Sequence, residues 1–124
     1  MNVTKRILII HDHEELRGFL AKRLESAGFL VKHFGRGTEG ISALEKDDYC
    51  LIVLDYDLRE DQGRDARYYL PKLAKVAPRT PVVIITAHGR EEVEPLQGVK
   101  EWIFFEDEKD LWGTLPSRLA GLCR

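Results

Sequence analysis

Three runs of four apolar residues, Ile7-Leu8-Ile9-Ile10, Leu51-Ile52-Val53-Leu54 and Val82-Val83-Ile84-Ile85, contain no polar alternation. A strand with one wet face alternates, whereas a strand that is apolar at every position is covered on both faces, as in a parallel sheet between helices. Each run stops abruptly at polar residues: His11-Asp12-His13 after the first, Asp55 after the second, Thr86-Ala87-His88-Gly89 after the third. Phe29-Leu30-Val31 and Trp102-Ile103-Phe104-Phe105 are weaker runs that complete a set of five predicted strands.

Between these runs the period changes from strand to helix. From Glu14 onward Leu16, Phe19, Leu20, Leu24 and Ala27 fall at helical spacing, with acids early, Lys22-Arg23 later and Gly28 as the stop. Residues 38–45 read as a second helix, closed by Asp47-Asp48. After Gly63, the spacing of Ala66, Tyr69, Leu70, Leu73 and Val76 predicts a third, with a kink expected at Pro71, which removes an amide donor and crowds the preceding turn. Only a short helix fits between Gly89 and Trp102, and Pro95 and Gly98 argue that it is poorly formed. A last amphipathic helix is expected from about Asp107, with Leu111, Leu115 and Leu119 on one face and a loosening near Gly113 and Pro116. Strands alternating with helices give an α/β domain spanning residues 1–124, a doubly wound five-stranded parallel sheet with helices on both faces, right-handed crossovers and a shortened fourth helix.

Composition narrows the function classes. The 124 residues suffice for one domain with a real core. A formal net charge of −2, with no Lys/Arg-rich run, argues against nucleic-acid binding by this domain. The apolar runs are too short to span a bilayer and the first ten residues lack the pattern of a secretion signal, so a cytoplasmic setting with no membrane contact is expected. Cys50 and Cys123 show neither a disulfide framework nor zinc spacing; Cys50 reads as a small core residue and Cys123 as a thiol near a frayed end. No spacing among His11, His13 and His88 imposes a transition-metal geometry, so His13 reads as a helix start or cap and His88 as a solvated loop residue. Tyr68-Tyr69 and the loop at 59–62 read as surface, Trp112 and Leu115 as core.

The candidate chemistry lies where the strands end. In open α/β sheets ligands bind beyond the carboxyl ends of the strands, and a parallel arrangement brings Asp12, Asp55 and Thr86 to one edge. Two carboxylates sharing a small site repel, and a hard divalent cation such as Mg²⁺ keeps both ionised. A carboxylate beside Mg²⁺ is a competent nucleophile toward a phosphoryl group, and a threonine hydroxyl can hydrogen-bond a phosphoryl oxygen.

With these residues in place, the chain resembles a receiver domain of the two-component response regulators, a CheY-like family of flavodoxin-like fold. The resemblance covers nearly the whole chain through the first strand and its acidic turn, Leu51-Ile52-Val53-Leu54-Asp55 with Gly63 eight residues on, and Pro81-Val82-Val83-Ile84-Ile85-Thr86-Ala87-His88-Gly89. It implies that Asp55 is the phosphoacceptor, and that Mg²⁺ is held by Asp12, Asp55 and the backbone carbonyl of Asp57. By the same resemblance Thr86 is the switch hydroxyl, Ala87 the small residue beside it and Trp102 the aromatic switch position. It further implies a sensor histidine kinase or phosphotransfer protein upstream, an effector protein or output domain downstream, and no enzymatic turnover by the domain itself.

The chain departs from that family at three places. His11 stands where the family has a second acid, which should weaken Mg²⁺ binding. Phe105 occupies the position of the family's lysine, with Glu106 after it, and neither Lys100 nor Lys109 is at the matching position. Loss of one charge-assisted phosphate contact costs about 1.5–3 kcal/mol, enough to impair phosphorylation but not necessarily to abolish it. The shortened fourth helix lies on the face most receivers use for output, so a changed partner or a changed way of switching is implied. Two other readings remain open: a phosphorylation-independent pseudo-receiver that acts as an interaction module, and, more remotely, a haloacid-dehalogenase-like phosphotransferase suggested by Asp55-Tyr56-Asp57, although Arg59 does not suit that motif.

Overall fold

A computed structural model describes residues 5–58, 64–105 and 111–123, without the side chains of residues 111 and 112. The elements, in chain order, are β1 (Arg6–Ile10), α1 (Glu14–Ser26), β2 (Leu30–Phe34), α2 (Gly37–Lys46), β3 (Leu51–Asp55), α3 (Ala66–Val76), β4 (Val82–Thr86), a 3₁₀ turn (Arg90–Glu92), β5 (Val99–Phe104) and α4 (Leu111–Leu122). The five strands form one parallel sheet in the order β2-β1-β3-β4-β5. From β1 the chain steps outward to β2 and then returns past β1 to β3, so the order reverses between β1 and β3. That reversal is the place where doubly wound sheets open a crevice for ligand.

The uninterrupted apolar runs are explained by two separate cores. Ile7, Ile9, Leu51, Val53, Val83 and Ile85 face one layer with Leu20 and Leu24 of α1 and Leu115 and Leu119 of α4. Leu8, Ile10, Ile52, Leu54 and Ile84 face the other, against Leu44 of α2 and Tyr69, Leu70 and Leu73 of α3. Alternate residues of each central strand therefore meet opposite helical layers, and none of them meets water.

Several sequence expectations need correction. β2 spans Leu30–Phe34, where the sequence indicated residues 29–31; it is an edge strand with Leu30, Lys32 and His33 exposed, so its apolar signal is diluted. β5 begins at Val99, three residues before the predicted Trp102, with a register irregularity opposite Val82/Val83. Tyr69 is buried, its ring filling the space where a side chain at Gly37 would stand, whereas its neighbour Tyr68 is exposed. α3 continues through Pro71. The connection expected to hold a short fourth helix carries only the single 3₁₀ turn, after which Val93 and Leu96 lie against the α2/α3 layer.

The largest correction concerns the cysteines. Cys50 and Cys123 are joined as a disulfide, and Cys123 is buried. Cysteine spacing carries no sign of this pairing because 73 residues separate the two; the return of α4 toward the start of β3 creates it. The expected helix start near Asp107, together with Gly63, Glu106, Lys109, the 59–62 loop and the Trp112 side chain, lies outside the described residues. Among the described residues no helix is long and apolar enough to cross a membrane.

Candidate functional site

Beyond Ile10 the backbone makes one more ladder contact, His11 N–H to the Phe34 carbonyl at 3.0 Å, and then turns into α1. Arg17 holds that turn from inside the helix, donating to the His11 carbonyl at 2.8 Å. His13 caps α1, its Nδ1 accepting the Leu16 N–H at 3.2 Å, in agreement with its sequence reading. A capped helix start next to a buried strand end leaves Asp12 little freedom.

On the neighbouring strand Asp55 is the last residue of β3, paired with Ile85, and Tyr56 N–H donates to the Ile85 carbonyl at 3.2 Å. Asp55 is only 6% exposed, and its Oδ1 accepts the Asp57 N–H at 3.2 Å. Its other oxygen, Oδ2, lies 3.6 Å from Nδ1 of His11, which is 3.8 Å from Oδ1 of Asp12. One donor atom from each of His11, Asp12 and Asp55 thus falls within 4.8 Å of the others. An open cavity of about 770 Å³ covers the cluster, with Asp57, Ala87, His88, Glu92 and Phe105 also on its walls.

Burial governs the charges here. Desolvation pushes the Asp55 carboxyl up to about 7, opposed by the Asp57 N–H and reinforced by the nearby Asp12 and Asp57 carboxylates. Desolvation also lowers His11 to about 4, against the pull of Asp12 and with help from His13 and Arg17. His11 is therefore neutral near pH 7. Its Nδ1 accepts the His13 N–H at 3.1 Å, so that nitrogen carries no proton to offer the carboxylates. Such a group relieves none of the repulsion between Asp12 and Asp55; a proton on Asp55 or a cation does.

The other residues singled out in the sequence are dispersed around this cluster. Ala87 and Phe105 line the cavity. Thr86 is buried and its Oγ1 accepts the His88 N–H at 3.0 Å, turning it toward its own loop. Trp102 does not line the cavity; it packs on the α2/α3 face, 5.9 Å from the Tyr56 ring and stacked on Phe104 at 5.8 Å. Tyr56 connects the two regions, because it follows Asp55 in sequence and its hydroxyl accepts the Glu94 N–H at 3.0 Å.

Sequence reasoning missed one feature of the site. His88 is not simply solvated: its Nε2 is 3.3 Å from Asp57 Oδ2 and its Nδ1 3.6 Å from Glu92 Oε2. Glu92 also accepts the Gly89 N–H at 2.7 Å, and that bond, followed by His88, holds its carboxyl below the usual range. The signal available in the sequence was the four-residue spacing from His88 to Glu92, obscured because it falls in a segment with no helical period.

Comparison with known proteins points one way. Residues 7–97 match the family model of the response regulator receiver domain, a segment ending just before β5. Over 91 residues the chain is 29% identical to the response regulator receiver protein CpdR of Brucella abortus (strain 2308), covering 73% of each. Over 82 residues it is 34% identical to the transcriptional regulatory protein HprR of Escherichia coli (strain K12), covering 66% of this chain and 35% of that one. Other curated relatives it matches are likewise longer, the chain spanning 19% of one and 18% of another. Among solved structures, response regulator TrrA of Thermotoga maritima, in complex with Mg²⁺-BeF, shares the fold with a TM-score of 0.76 at 20% identity, covering 96% of this chain and 99% of that one.

Proposed function

This chain belongs to the receiver domains of response regulators, the family of two-component signalling, and from that premise we propose that it is an atypical receiver in which Asp55 accepts a phosphoryl group in the presence of Mg²⁺. The observation that carries the reading is the burial of Asp55 at the switch point, within donor range of Asp12 and open to a cavity on one side.

The residues present fit a hard divalent cation in part. The Asp12 and Asp55 carboxylates, with the Asp57 backbone carbonyl, would hold Mg²⁺, whereas the neutral nitrogen of His11 is a poor ligand for it, so binding is weak. When bound, the cation supplies charge neutralisation for the phosphoryl oxygens and favours the ionised form of Asp55. The Asp57 N–H orients Oδ1 of Asp55, leaving Oδ2 as the attacking atom. That oxygen forms a bond to phosphorus as the bond from phosphorus to the donor's leaving atom breaks. The leaving group, an imidazole nitrogen of a histidine kinase or phosphotransfer protein or an oxygen of a small acyl phosphate, departs with the electron pair. Thr86 would then turn its hydroxyl from the His88 amide toward a phosphoryl oxygen, with Ala87 leaving room for it, and Tyr56 would pass the change to Trp102. The 3₁₀ segment and β5 form the altered output face toward an effector protein or output domain, and the domain itself turns over no substrate. A cytoplasmic setting follows from such partners.

Phe105 on the cavity wall supports a second reading, the phosphorylation-independent interaction module, because no ammonium stands at that position to pair with phosphate. Incubation with acetyl phosphate and Mg²⁺ followed by intact mass measurement separates the two. The receiver reading requires one phosphoryl adduct on the wild-type chain and none on Asp55→Asn. An unmodified wild-type chain leaves the interaction module.

A further inference from the structure

At the opposite rim of the sheet from Asp55, Cys50 immediately precedes β3 and Cys123 immediately follows α4. Their Sγ atoms meet as a disulfide and their Cα atoms are 4.9 Å apart. That separation lies within the roughly 4.4–6.8 Å that a disulfide bridges without backbone movement. The phosphoryl chemistry proposed for Asp55 has no use for this pair.

We propose that Cys50 and Cys123 are a reversible oxidation site, closed by a peroxide and reopened by a dithiol, whose closure fastens the C-terminal end of α4 to the sheet. The composition of α4 makes that fastening matter. Gly113, Pro116 and Gly121 fall within its 12 residues, and each weakens a helix on its own. Its fully buried anchors among the described side chains are Leu115 and Leu119, with Leu122 half-buried. Arg118 adds an ion pair to Glu101 of β5 at 3.0 Å, with both side chains about one-third exposed. These contacts hold the middle of the helix. Its last turn packs through Leu119 and Leu122 and is closed by the Cys123 N–H on the Ala120 carbonyl at 3.2 Å.

The two sulfurs divide the chemistry by exposure. Cys50 is half-buried, the more exposed of the two residues, and Cys123 is buried beside it. The Cys50 thiolate attacks one oxygen of hydrogen peroxide, the O–O bond breaks, and the protonated leaving oxygen departs as water, giving a sulfenic acid. The Cys123 thiolate then attacks the Cys50 sulfur and expels the sulfenic oxygen as a second water. Two thiols lose two electrons and two hydrogens, and one peroxide becomes two waters. No third cysteine competes, because the chain has only these two. A dithiol reverses the change by thiol–disulfide exchange and is left as its own disulfide.

The test uses the full chain, reduced, freed of reductant and treated with hydrogen peroxide. The oxidised chain is expected to lose two hydrogens by intact mass and both titratable thiols, while remaining monomeric on a non-reducing gel. Amide exchange across residues 115–122 should slow about tenfold or more relative to the reduced chain, because a tether restricts the opened state of the helix end. Cys50→Ser and Cys123→Ser should show no such peroxide-dependent slowing, and the wild-type comparison stands even if either variant folds poorly. Two free thiols after peroxide, a disulfide formed only between chains, or equal exchange in the oxidised and reduced chains would overturn the proposal.

Discussion

His11 and Asp55 respond to pH in opposite senses, and the sign of each follows from where its proton sits. Asp55 has its carboxyl raised from 3.8 to about 7, so the metal-free folded chain keeps a proton that the unfolded chain has already lost. Its stabilising contribution is complete below pH 4 and disappears as pH rises toward 7. His11 is lowered from 6.5 to about 4, so the unfolded chain is the one that takes up the proton, and stability is lost as pH falls from 6.5 toward 4. The two slopes oppose one another. Replacing Asp55 by Asn removes one of them: in chelator, urea unfolding of Asp55→Asn should give stability that rises from about pH 4 to 6.5, with the variant above wild type by roughly 1–4 kcal/mol near neutral pH. A variant no more stable than wild type at neutral pH would contradict the burial argument.

His11 and Phe105 can be tested in the direction of the family pattern. His11→Asp places a third carboxylate against the cation position, so Mg²⁺ affinity by calorimetry should rise about tenfold, at a cost in metal-free stability from added repulsion. Phe105→Lys should raise the yield of phosphorylated chain from acetyl phosphate, the restored charge-assisted contact being worth about 1.5–3 kcal/mol. The places of Asp12 and Asp55 were legible in the sequence from the strand ends, whereas His11 and Phe105 stood out only through the family resemblance. The direction of the Thr86 hydroxyl was not, since it depends on the His88 amide, a backbone contact within a loop. The His88 bridge between Asp57 and Glu92 depends in the same way on how the 3₁₀ turn folds back.

At the scale of elements, the strands buried on both faces were readable because each apolar run has no wet position to disguise it. β2 was not, because an edge strand mixes exposed Lys32 and His33 with apolar neighbours and its period blurs. The burial of Tyr69 was obscured by its pairing with exposed Tyr68, and the space it fills was reserved by Gly37 on another helix. For α4, Leu115 and Leu119 were correctly placed in the core while the covalent link at its end went unseen, because spacing in sequence says nothing about contacts made through tertiary return. Leu119→Ala should cost about 2–5 kcal/mol in chemical unfolding, the range for a fully buried leucine that leaves a cavity. A loss below about 0.5 kcal/mol, the range of exposed surface positions, would mean that α4 is not packed as described.

Across the whole molecule, the strand order matters more than any single residue. Because the strand order reverses between the parallel strands β1 and β3, the ends of two buried strands deliver Asp12 and Asp55 to one crevice, a placement that alternating elements imply and a list of acids does not. The segment matching the family ends at residue 97, and β5, Phe105, α4 and Cys123 lie beyond it. The acid cluster of Asp12 and Asp55 thus lies within the matched segment. The most direct measurement of the central claim is to trap the acyl phosphate chemically: treat the chain with acetyl phosphate and Mg²⁺, reduce with borohydride, and sequence the peptides by mass spectrometry. The account requires homoserine at position 55 and nowhere else, dependent on Mg²⁺; aspartate still intact at position 55, or homoserine at Asp12 or Asp57 instead, would contradict it.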